Sequence, residues 1–402
     1  MPVGQIECSP EPVAGIRLAA AAAGIRYSGR DDVALIECSP TTTAASIFTK
    51  NQFKAAPVLL AQANLDRASP RYLLINSGNA NAATGDMGFA DAVASTEIVA
   101  AHTQVRPEEV LPFSTGVIGE RLPIGPFEQV MPELVSALAP DHWLAAAQAI
   151  MTTDTVPKLM SRKLELGEEI VTITGMAKGA GMIQPNMATM LCFIATDAQL
   201  SRGQMQDLLQ EAADSSLNRV TVDSDTSTND ACVLLATGES KVSIHQGSAE
   251  ESEFQDVLTD LMINLAQALV RDGEGATKFV TVNVEGAESQ VAALEVAYSV
   301  ANSPLVKTAI FAEDANWGRL VMAIGKVESE LNPNVVDLFI NDVCLLEAGL
   351  KHPNYEEALG EAAMKSEDIE IRVVLNQGEC SETVWTSDLS HDYVTINAEY
   401  RT

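Results

Sequence analysis

Short apolar runs recur along this 402-residue chain, and segments with helical spacing of apolar residues lie between them. The runs are rich in β-branched residues and are bounded by turn residues, which is typical of buried strands. They occupy residues 72–75, 170–173, 190–195, 280–284 and 371–375. Strands that alternate with helices along the chain indicate an α/β fold.

Helix signals lie between these runs. Ser201 followed by Gln204 has the capping-box pattern and predicts a helix that runs to about Leu217. Asp141 is the expected N-cap of another helix, which runs toward Thr152. A third helix is predicted from apolar residues at i, i+3 and i+4 spacing. Its apolar face consists of Phe254, Val257, Leu258, Leu261, Met262, Leu265 and Leu269.

The segment 178–191 joins a turn-like stretch to one of the apolar runs. Glycine and proline residues precede Ala188, and Thr189 stands at the start of the run. Cleavage of the Ala188–Thr189 bond would leave Thr189 with a free α-amine beside its own hydroxyl, which is the arrangement of an N-terminal nucleophile. On the local pattern alone the better interpretation is an ordinary strand start, because threonine favours strands.

The charge of the chain limits its partners. Lys+Arg 25 against Asp+Glu 55 give a formal net charge of −30 at pH 7. A surface this acidic repels nucleic acid and anionic membranes, so we expect neither as a partner.

Cysteine usage and the amino-terminal residues indicate the compartment. The six cysteines are scattered and form no CxxC pair, which is typical of reduced thiols and not of a disulfide framework. The apolar residues 18–25 follow acidic residues and are too few to span a bilayer, so they do not have the pattern of an export signal. We therefore expect a cytoplasmic protein.

Cofactor-binding patterns are missing from the sequence. The five histidines lie far apart and none has metal-ligand spacing. Residues 223–234 begin like a calcium loop, but Thr228 and Leu234 stand where the loop needs glycine and glutamate, so a polar turn is the better interpretation. No Walker A or strand-linked GxGxxG motif occurs. We expect neither a metal nor an organic cofactor, and a nucleophile that carries its own base needs no histidine.

Residues 179–191 closely resemble the processing site of the glutamate N-acetyltransferase family, also called ornithine acetyltransferases, whose members cleave themselves. Further segments resemble the family's motifs and follow in the family's order. They are residues 13–17, 23–27, 76–85, 114–119, 151–154, 272–277, 314–319 and 393–397. The resemblance therefore extends over essentially the whole chain.

The resemblance implies both the fold and the processing of the chain. The implied fold is an α-β-β-α sandwich followed by a smaller C-terminal α/β domain, with residues 272–278 as the boundary candidate. The two domains would then be residues 1–277 and 278–402. Cleavage would give an α chain of residues 1–188 and a β chain of residues 189–402, which pair as α2β2 in this family.

The resemblance also assigns roles to residues that match the family's motifs. Thr115 and Gly116 match the oxyanion-hole pair, although the local pattern alone would indicate an ordinary glycine turn after a strand. The positions that match substrate contacts are Thr152, Lys178, Thr189, Glu274, Asn397 and Thr402. Lys178 suits a carboxylate and Glu274 suits the side-chain amine of ornithine, whereas a solvated surface charge is the ordinary alternative for both.

The reaction that the resemblance implies is acetyl transfer in arginine biosynthesis. N-acetyl-L-ornithine would acetylate Thr189, and L-glutamate would then take the acetyl group. Whether acetyl-CoA also serves as a donor stays open. One alternative is a hydrolase or aminopeptidase with the same nucleophile, which would pass the acyl group to water. A second alternative is a non-catalytic acidic binding protein, in which Thr189 only starts a strand.

Overall fold

Strands and helices alternate through residues 1–184 and 190–399, which are the residues that the computed structural model describes. The strands are β1 (Cys8–Ser9), β2 (Ile16–Ala21), β3 (Val33–Cys38), β4 (Thr43–Phe48), β5 (Tyr72–Asn79), β6 (Val110–Val117), β7 (Lys158–Leu166), β8 (Glu169–Lys178), β9 (Leu191–Thr196), β10 (Val220–Thr221), β11 (Ala231–Ala236), β12 (Phe279–Ala287), β13 (Asp337–Ile340), β14 (Val343–Glu347), β15 (Leu350–Lys351), β16 (Asp368–Val374) and β17 (Cys380–Ser387). The helices are α1 (Ala56–Leu65), α2 (Gly85–Thr103), α3 (Gly125–Ser136), α4 (Trp143–Ala149), α5 (Arg202–Asp214), α6 (Ala249–Arg271), α7 (Gln290–Ala301), α8 (Pro304–Phe311), α9 (Trp317–Gly325), α10 (Glu357–Met364) and α11 (His391–Glu399).

The predicted strands are confirmed. The five apolar runs coincide with β5, β8, β9, β12 and β16, except that Met190 lies one residue before β9 and Leu375 one residue after β16. The helix predicted from apolar spacing is α6, and Leu258, Leu261 and Leu265 on its apolar face are fully buried. The i, i+3, i+4 spacing of apolar residues therefore predicted correctly which face of α6 is buried.

Two predicted helix starts differ from the structure in detail. The Ser201 side chain caps α5 by accepting the N–H of Gln204, as expected. The Gln204 side chain donates to Glu251 at 2.8 Å, so the reciprocal half of a capping box is replaced by a tertiary contact. The prediction that Asp141 caps α4 is wrong, because His142 occupies the N-cap position of that helix and its side chain makes no capping bond.

The described residues divide into two compact units. The first comprises Glu7–Asn218 and Asp225–Leu269, and the second comprises Met1–Ile6, Arg219–Ser224 and residues 270–399. The second unit thus begins slightly upstream of residues 272–278 and includes two short segments from earlier in the chain.

The first unit is built on two sheets that pack face to face. One sheet has the strand order β1-β7-β8-β9-β11-β4, and the other has the order β2-β3-β5-β6. Their inner faces share one apolar core, in which Leu73 and Phe113 of the smaller sheet accompany Leu191 and Phe193 of the larger one. The rings of Phe113 and Phe193 meet edge to face with centroids 5.0 Å apart, so the two sheets interlock directly.

Helices cover the outer face of each sheet in this unit. On the smaller sheet, Val99 of α2 and Phe127 of α3 share a core with Leu35 and Leu74. On the larger sheet, α6 lies so close to β8 that a Cβ on Gly175 would stand 2.9–3.0 Å from the side chains of Leu261 and Leu265. These layers confirm the predicted α-β-β-α sandwich.

The second unit is a smaller α/β structure with its own core. Its sheet has the strand order β10-β17-β12-β16-β13-β14-β15. Val282 of β12 and Leu338 of β13 are buried with Val296 and Val300 of α7 and with Leu320 of α9. Among all the helices described above, none is long and apolar enough to cross a membrane.

Candidate active site

Thr115 and Gly116 lie inside β6, near its carboxyl end, and not in a turn that follows a strand. They pair in parallel register with Ser77 and Gly78 of β5. Gly116 has a φ of 135°, and a Cβ built on it would lie 2.3 Å from the Gly78 carbonyl carbon and 2.5 Å from the Asn79 nitrogen. A side chain is therefore excluded at Gly116 both by its backbone conformation and by the approach of β5.

Buried amide side chains fix the strand ends on which Thr115 sits. The Ser114 hydroxyl donates to Asn76 Oδ1 at 2.6 Å, and the Asn76 amide donates to the Asn79 carbonyl at 2.9 Å. The Asn229 amide donates to the carbonyls of Ser114 at 2.9 Å and Ala80 at 2.7 Å. Since Ser114 shares a peptide bond with Thr115, this network holds the backbone at the predicted oxyanion site.

Lys178 contacts Thr115 directly. Its Nζ donates to Thr115 Oγ1 at 3.1 Å, and the two residues are only 2 % and 7 % exposed. A lysine ammonium carries donors and no acceptor, so the Thr115 oxygen accepts and its hydroxyl proton remains available to another acceptor. Two residues predicted for different roles, oxyanion donor and substrate contact, thus form one buried pair.

Asp154 links the loop of Thr152 to the turn after Lys178. Its Oδ1 accepts from Lys158 Nζ at 2.5 Å and from the Gly179 N–H at 2.7 Å, while its Oδ2 accepts the Thr152 N–H at 3.0 Å. Burial would raise the pKa of the Asp154 carboxyl, but the charges of Lys158 and Lys178 hold that pKa well below its usual range. Asp154 was not among the predicted site residues, although it closes the motif that contains Thr152.

Lys158→Met is expected to lower the free energy of unfolding by about 3–5 kcal/mol, because it leaves the Asp154 carboxylate buried beside an apolar group. Urea unfolding of the uncut Thr189→Ala chain measures the loss without a chain break. The double variant Asp154→Asn/Lys158→Met should recover most of this lost free energy of unfolding. A loss below about 1 kcal/mol in Lys158→Met alone would contradict the role of Lys158 as the partner of a buried Asp154 carboxylate. Since the folded pKa of Asp154 is lowered, its stabilisation is present above the ordinary aspartate pKa and is lost as pH falls toward the folded value.

Asp230 holds the backbone that immediately follows the predicted nucleophile. Its Oδ1 accepts the Met190 N–H at 3.0 Å. In the sequence, Asp230 and Asn229 lie in the segment predicted to be a polar turn, and neither was predicted as a site residue. Both residues reach the site because β11, which follows them, pairs with β9.

Glu274 and Asn397 lie together in the second unit. The Asn397 amide donates to Glu274 Oε2 at 2.7 Å and to the Tyr393 carbonyl at 3.0 Å. Gly275 has a φ of 69°, and a Cβ there would stand 2.5 Å from the Tyr393 nitrogen. The turn that carries Glu274 therefore packs tightly on α11, and two of the predicted substrate contacts are neighbours.

The remaining predicted positions, Ala188, Thr189 and Thr402, lie outside the described residues. Of the described positions, Thr115, Gly116, Thr152 and Lys178 belong to the first unit, and Glu274 and Asn397 belong to the second. Within residues 1–184 and 190–399, no cluster of histidine, cysteine or acidic side chains has the arrangement of a metal site.

Comparison with known proteins identifies the family. The sequence model of the ArgJ family matches residues 17–402. The chain belongs to the ArgJ family. This ArgJ family member is 49 % identical over 394 residues to the arginine biosynthesis bifunctional protein ArgJ of Pseudomonas fluorescens, with 97 % of both chains covered. It is 51 % identical over 393 residues to the protein of the same name from Methylococcus capsulatus, with 97 % of this chain and 96 % of the relative covered.

A solved structure agrees with this assignment. The arginine biosynthesis bifunctional protein argJ of Bacillus halodurans is 37 % identical to this ArgJ family member and superposes with a TM-score of 0.50. The match covers 52 % of this chain and 98 % of the solved chain. The family resemblance carried by the sequence motifs is thereby confirmed.

Proposed function

We propose that Thr189 carries the acetyl group in the transfer that this ArgJ family enzyme performs between N-acetyl-L-ornithine and L-glutamate in arginine biosynthesis. The observation that carries this proposal is the buried Lys178–Thr115 hydrogen bond, which leaves the Thr115 hydroxyl proton free for a developing oxyanion. The bifunctional relatives match 97 % of this chain over 96–97 % of their own length.

The first step is self-cleavage. The Thr189 hydroxyl attacks the Ala188 carbonyl from the adjacent position, which gives the reaction a high effective molarity. The peptide nitrogen leaves as the α-amine of Thr189, and water then hydrolyses the resulting ester to free residues 1–188 and 189–402. The coverage by the Bacillus halodurans protein supports this step, because a solved chain that is 98 % matched by about half of this one is itself a half-length chain.

The second step is acetyl transfer by the mature enzyme. An α-amine with an ordinary pKa of roughly 7.7–8.0 can take the proton of the Thr189 hydroxyl near neutral pH. The oxygen attacks the acetyl carbonyl of N-acetyl-L-ornithine, the C–N bond breaks, and the departing amine of ornithine takes the proton. The amine of L-glutamate then attacks the acetyl ester and regenerates Thr189. No step requires a metal or an organic cofactor, since the nucleophile carries its own base.

Thr115 and Gly116 stabilise the oxyanion that both steps form. The Thr115 hydroxyl and the Gly116 N–H are the two donors, and Lys178 orients the first of them. Removing one such donor from an acyl-transfer enzyme typically costs about 10²–10³-fold in kcat. The positive charge of Lys178, held beside Thr115, also favours the negative oxygen in the transition state.

The remaining contacts select the amino-acid substrates. Glu274 pairs with the side-chain amine of ornithine, and Asn397 fixes the Glu274 carboxylate by its hydrogen bond at 2.7 Å. Thr152 and Thr402 complete the set as hydrogen-bonding partners of the polar groups of the substrate. The Thr152 backbone is already oriented by Asp154.

Glu274→Gln is expected to raise the KM for N-acetyl-L-ornithine by about 10- to 100-fold, because a hydrogen bond between charged groups contributes roughly 1.5–3 kcal/mol. The KM for L-glutamate should change much less, since that substrate carries no side-chain amine. Steady-state kinetics with each substrate varied in turn measures both constants. Glu379→Gln, at an exposed carboxylate of the same unit, is the matched control. Equal changes in the two KM values would contradict the role of Glu274.

The proposed function is tested by supplying the purified protein with N-acetyl-L-ornithine and L-glutamate. N-acetyl-L-glutamate and ornithine should appear in equal amounts. Release of acetate without L-glutamate, at the rate seen with it, would instead support the hydrolase alternative. Absence of any turnover would support the binding-protein alternative. A parallel assay with acetyl-CoA and L-glutamate decides whether a second donor is used.

Location and assembly complete the proposal. We place the enzyme in the cytoplasm, since its six cysteines are scattered and all are free thiols. The two fragments stay together as α and β chains of one folded protein and pair as α2β2. Light scattering of the native enzyme, beside electrophoresis of the denatured enzyme, tests this assembly.

A further inference from the structure

Three buried charged side chains lie together beside Thr115. Asp154 is in the loop between α4 and β7, Lys158 begins β7, and Lys178 ends β8. All three residues are buried, and Lys158 Nζ donates to Asp154 Oδ1 at 2.5 Å. The cluster of Asp154, Lys158 and Lys178 therefore holds two ammonium groups against one carboxylate.

The charge of Lys178 depends on a nearby anion. Burial favours the neutral form of a lysine, because the ammonium loses its hydration. Asp230 also interacts with the charge of Lys178, but burial raises the pKa of the Asp230 carboxyl well above its usual value. The pKa of the Asp154 carboxyl lies well below its usual range, so Asp154 is the group that supplies a negative charge.

The interaction between Asp154 and Lys178 is mutual. Burial alone would raise the pKa of Asp154, and the charges of Lys158 and Lys178 lower it. Since two charges act on each other equally, the carboxylate that Lys178 stabilises also stabilises the Lys178 ammonium. Asp154 fixes the adjacent backbone as well, because its Oδ1 accepts the Gly179 N–H at 2.7 Å. Both the charge and the position of Lys178 therefore depend on Asp154.

The protonation state of Lys178 sets the direction of its hydrogen bond to Thr115. An ammonium can only donate, so Thr115 Oγ1 accepts at 3.1 Å and keeps its own proton for another acceptor. A neutral amine has a lone pair and can accept the Thr115 proton instead. The hydroxyl would then point at Lys178 and would be lost as a donor to the oxyanion.

We propose that Asp154 is a positioning residue of the oxyanion site, which keeps Lys178 charged and directed at Thr115 so that the Thr115 hydroxyl remains a donor. This inference rests on the proposed function. Asp154 acts through Lys178 and does not itself contact the oxyanion. Its other oxygen, Oδ2, accepts the Thr152 N–H at 3.0 Å, so the same carboxylate also fixes the loop of a predicted substrate contact.

Asp154→Asn tests the inference with little change of shape. Asparagine keeps an oxygen for a backbone N–H but has no charge to balance the two buried lysines. The readout is the pH profile of kcat/KM for N-acetyl-L-ornithine, which reports ionisations of the free enzyme. The alkaline limb of this profile should move to lower pH by at least about one unit. Above that limb, kcat/KM should fall toward the loss of about 10²–10³-fold that removal of an oxyanion donor causes.

Thr115→Val distinguishes this effect from general damage to the fold. When Asp154→Asn is added to Thr115→Val, kcat/KM at alkaline pH should fall much less than in the wild-type background, because the hydroxyl that Lys178 orients is already absent. Glu382→Gln is the matched control. Glu382 is a largely buried carboxylate of the second unit, paired with Arg219 at 3.2 Å. This variant should keep the wild-type kcat/KM and pH profile.

NMR of isotope-labelled lysine follows the charge of Lys178 without any turnover, and Lys178→Arg identifies its resonance. In Asp154→Asn this resonance should titrate at lower pH than in wild type, in step with the alkaline limb. If wild type and Glu382→Gln both fail to transfer acetyl groups, the proposed function fails. The titration then still shows whether Asp154 keeps Lys178 charged.

Three results would overturn the inference. They are an unshifted alkaline limb in folded Asp154→Asn, a fall in kcat/KM that is equal at every pH, and a Lys178 that is already neutral in wild type at neutral pH. Circular dichroism and thermal melting establish folding first.

The double variant Asp154→Asn/Lys158→Met decides the matter if Asp154→Asn does not fold, since it leaves neither charge of the broken pair buried. It must shift the alkaline limb and the Lys178 titration in the same direction, by a smaller amount because the repulsion from Lys158 is also removed. If the double variant does not fold, or shows no shift, Asp154 serves only the stability of the fold and the inference is wrong.

Discussion

Thr189→Ala should yield a single uncut chain whose acetyl transfer is lower than that of wild type by more than about 10⁴-fold. Alanine has no hydroxyl, so neither the Ala188 carbonyl nor the acetyl carbonyl can be attacked. The uncut chain also has no free α-amine at this position, and both the nucleophile and its base are lost together. Electrophoresis of the purified protein and the assay with N-acetyl-L-ornithine and L-glutamate measure the two effects.

Thr189→Ser is the matched control for this prediction. Serine keeps the hydroxyl and loses the methyl group that restricts χ1. The variant should cleave, more slowly than wild type, and should retain measurable transfer. Substantial activity in Thr189→Ala would mean that another residue is the nucleophile.

Thr115→Val should lower kcat by about 10²–10³-fold, since valine fills the same volume without a donor for the oxyanion. The KM for N-acetyl-L-ornithine should change little, because the proposed bond from Thr115 to the oxyanion forms only in the transition state. Cleavage should slow as well, as it passes through a similar tetrahedral oxyanion. Incubation of the precursor over time measures cleavage, and steady-state kinetics of the fully cleaved fraction measures transfer.

Thr115→Ser separates the hydroxyl from the strand position. Serine retains the hydroxyl oxygen, which in Thr115 accepts from Lys178 Nζ at 3.1 Å. It also retains the hydroxyl proton that would be donated to the oxyanion. This variant should recover most of the lost kcat. A raised KM at unchanged kcat in Thr115→Val would show that Thr115 contacts the substrate and does not stabilise the oxyanion.

The parts of the fold that the sequence predicted are those determined by local burial. Apolar runs identified the strands β5, β8, β9, β12 and β16. The strands β5 and β9 are buried along their whole length, whereas β16 buries alternate residues and is apolar on one face only. The cap of α4 was assigned to Asp141 on side-chain preference alone, whereas the backbone begins the helix after His142. Capping preferences are weak compared with the packing that determines where a helix starts.

The site residues likewise divide into those that a sequence motif indicated and those that only the folded chain brings together. The local pattern at Thr115 and Gly116 favoured a turn, and only the family motif indicated an oxyanion hole. The contact with Lys178, 63 residues later, depends on two separate sheets and is not visible in any local window. Asp154 and Asp230 were missed for the same reason, since their partners are brought to them by strand pairing and by chain turns. In the sequence, Asp154 is only the last residue of the motif at 151–154, and Asp230 is only one of several polar residues after residue 223. Neither position indicates which groups the carboxylate contacts.

The most direct test of the central claim is to supply the mature enzyme with N-acetyl-L-ornithine in the absence of L-glutamate. Acid quenching on the millisecond timescale, followed by intact-mass and peptide mass spectrometry, shows where the acetyl group resides. We predict a fragment that begins at Thr189 and carries one acetyl group on that residue, which disappears when L-glutamate is added. A fully active chain that is uncut, or an acetyl group that accumulates on any other residue, would contradict Thr189 as the self-generated nucleophile.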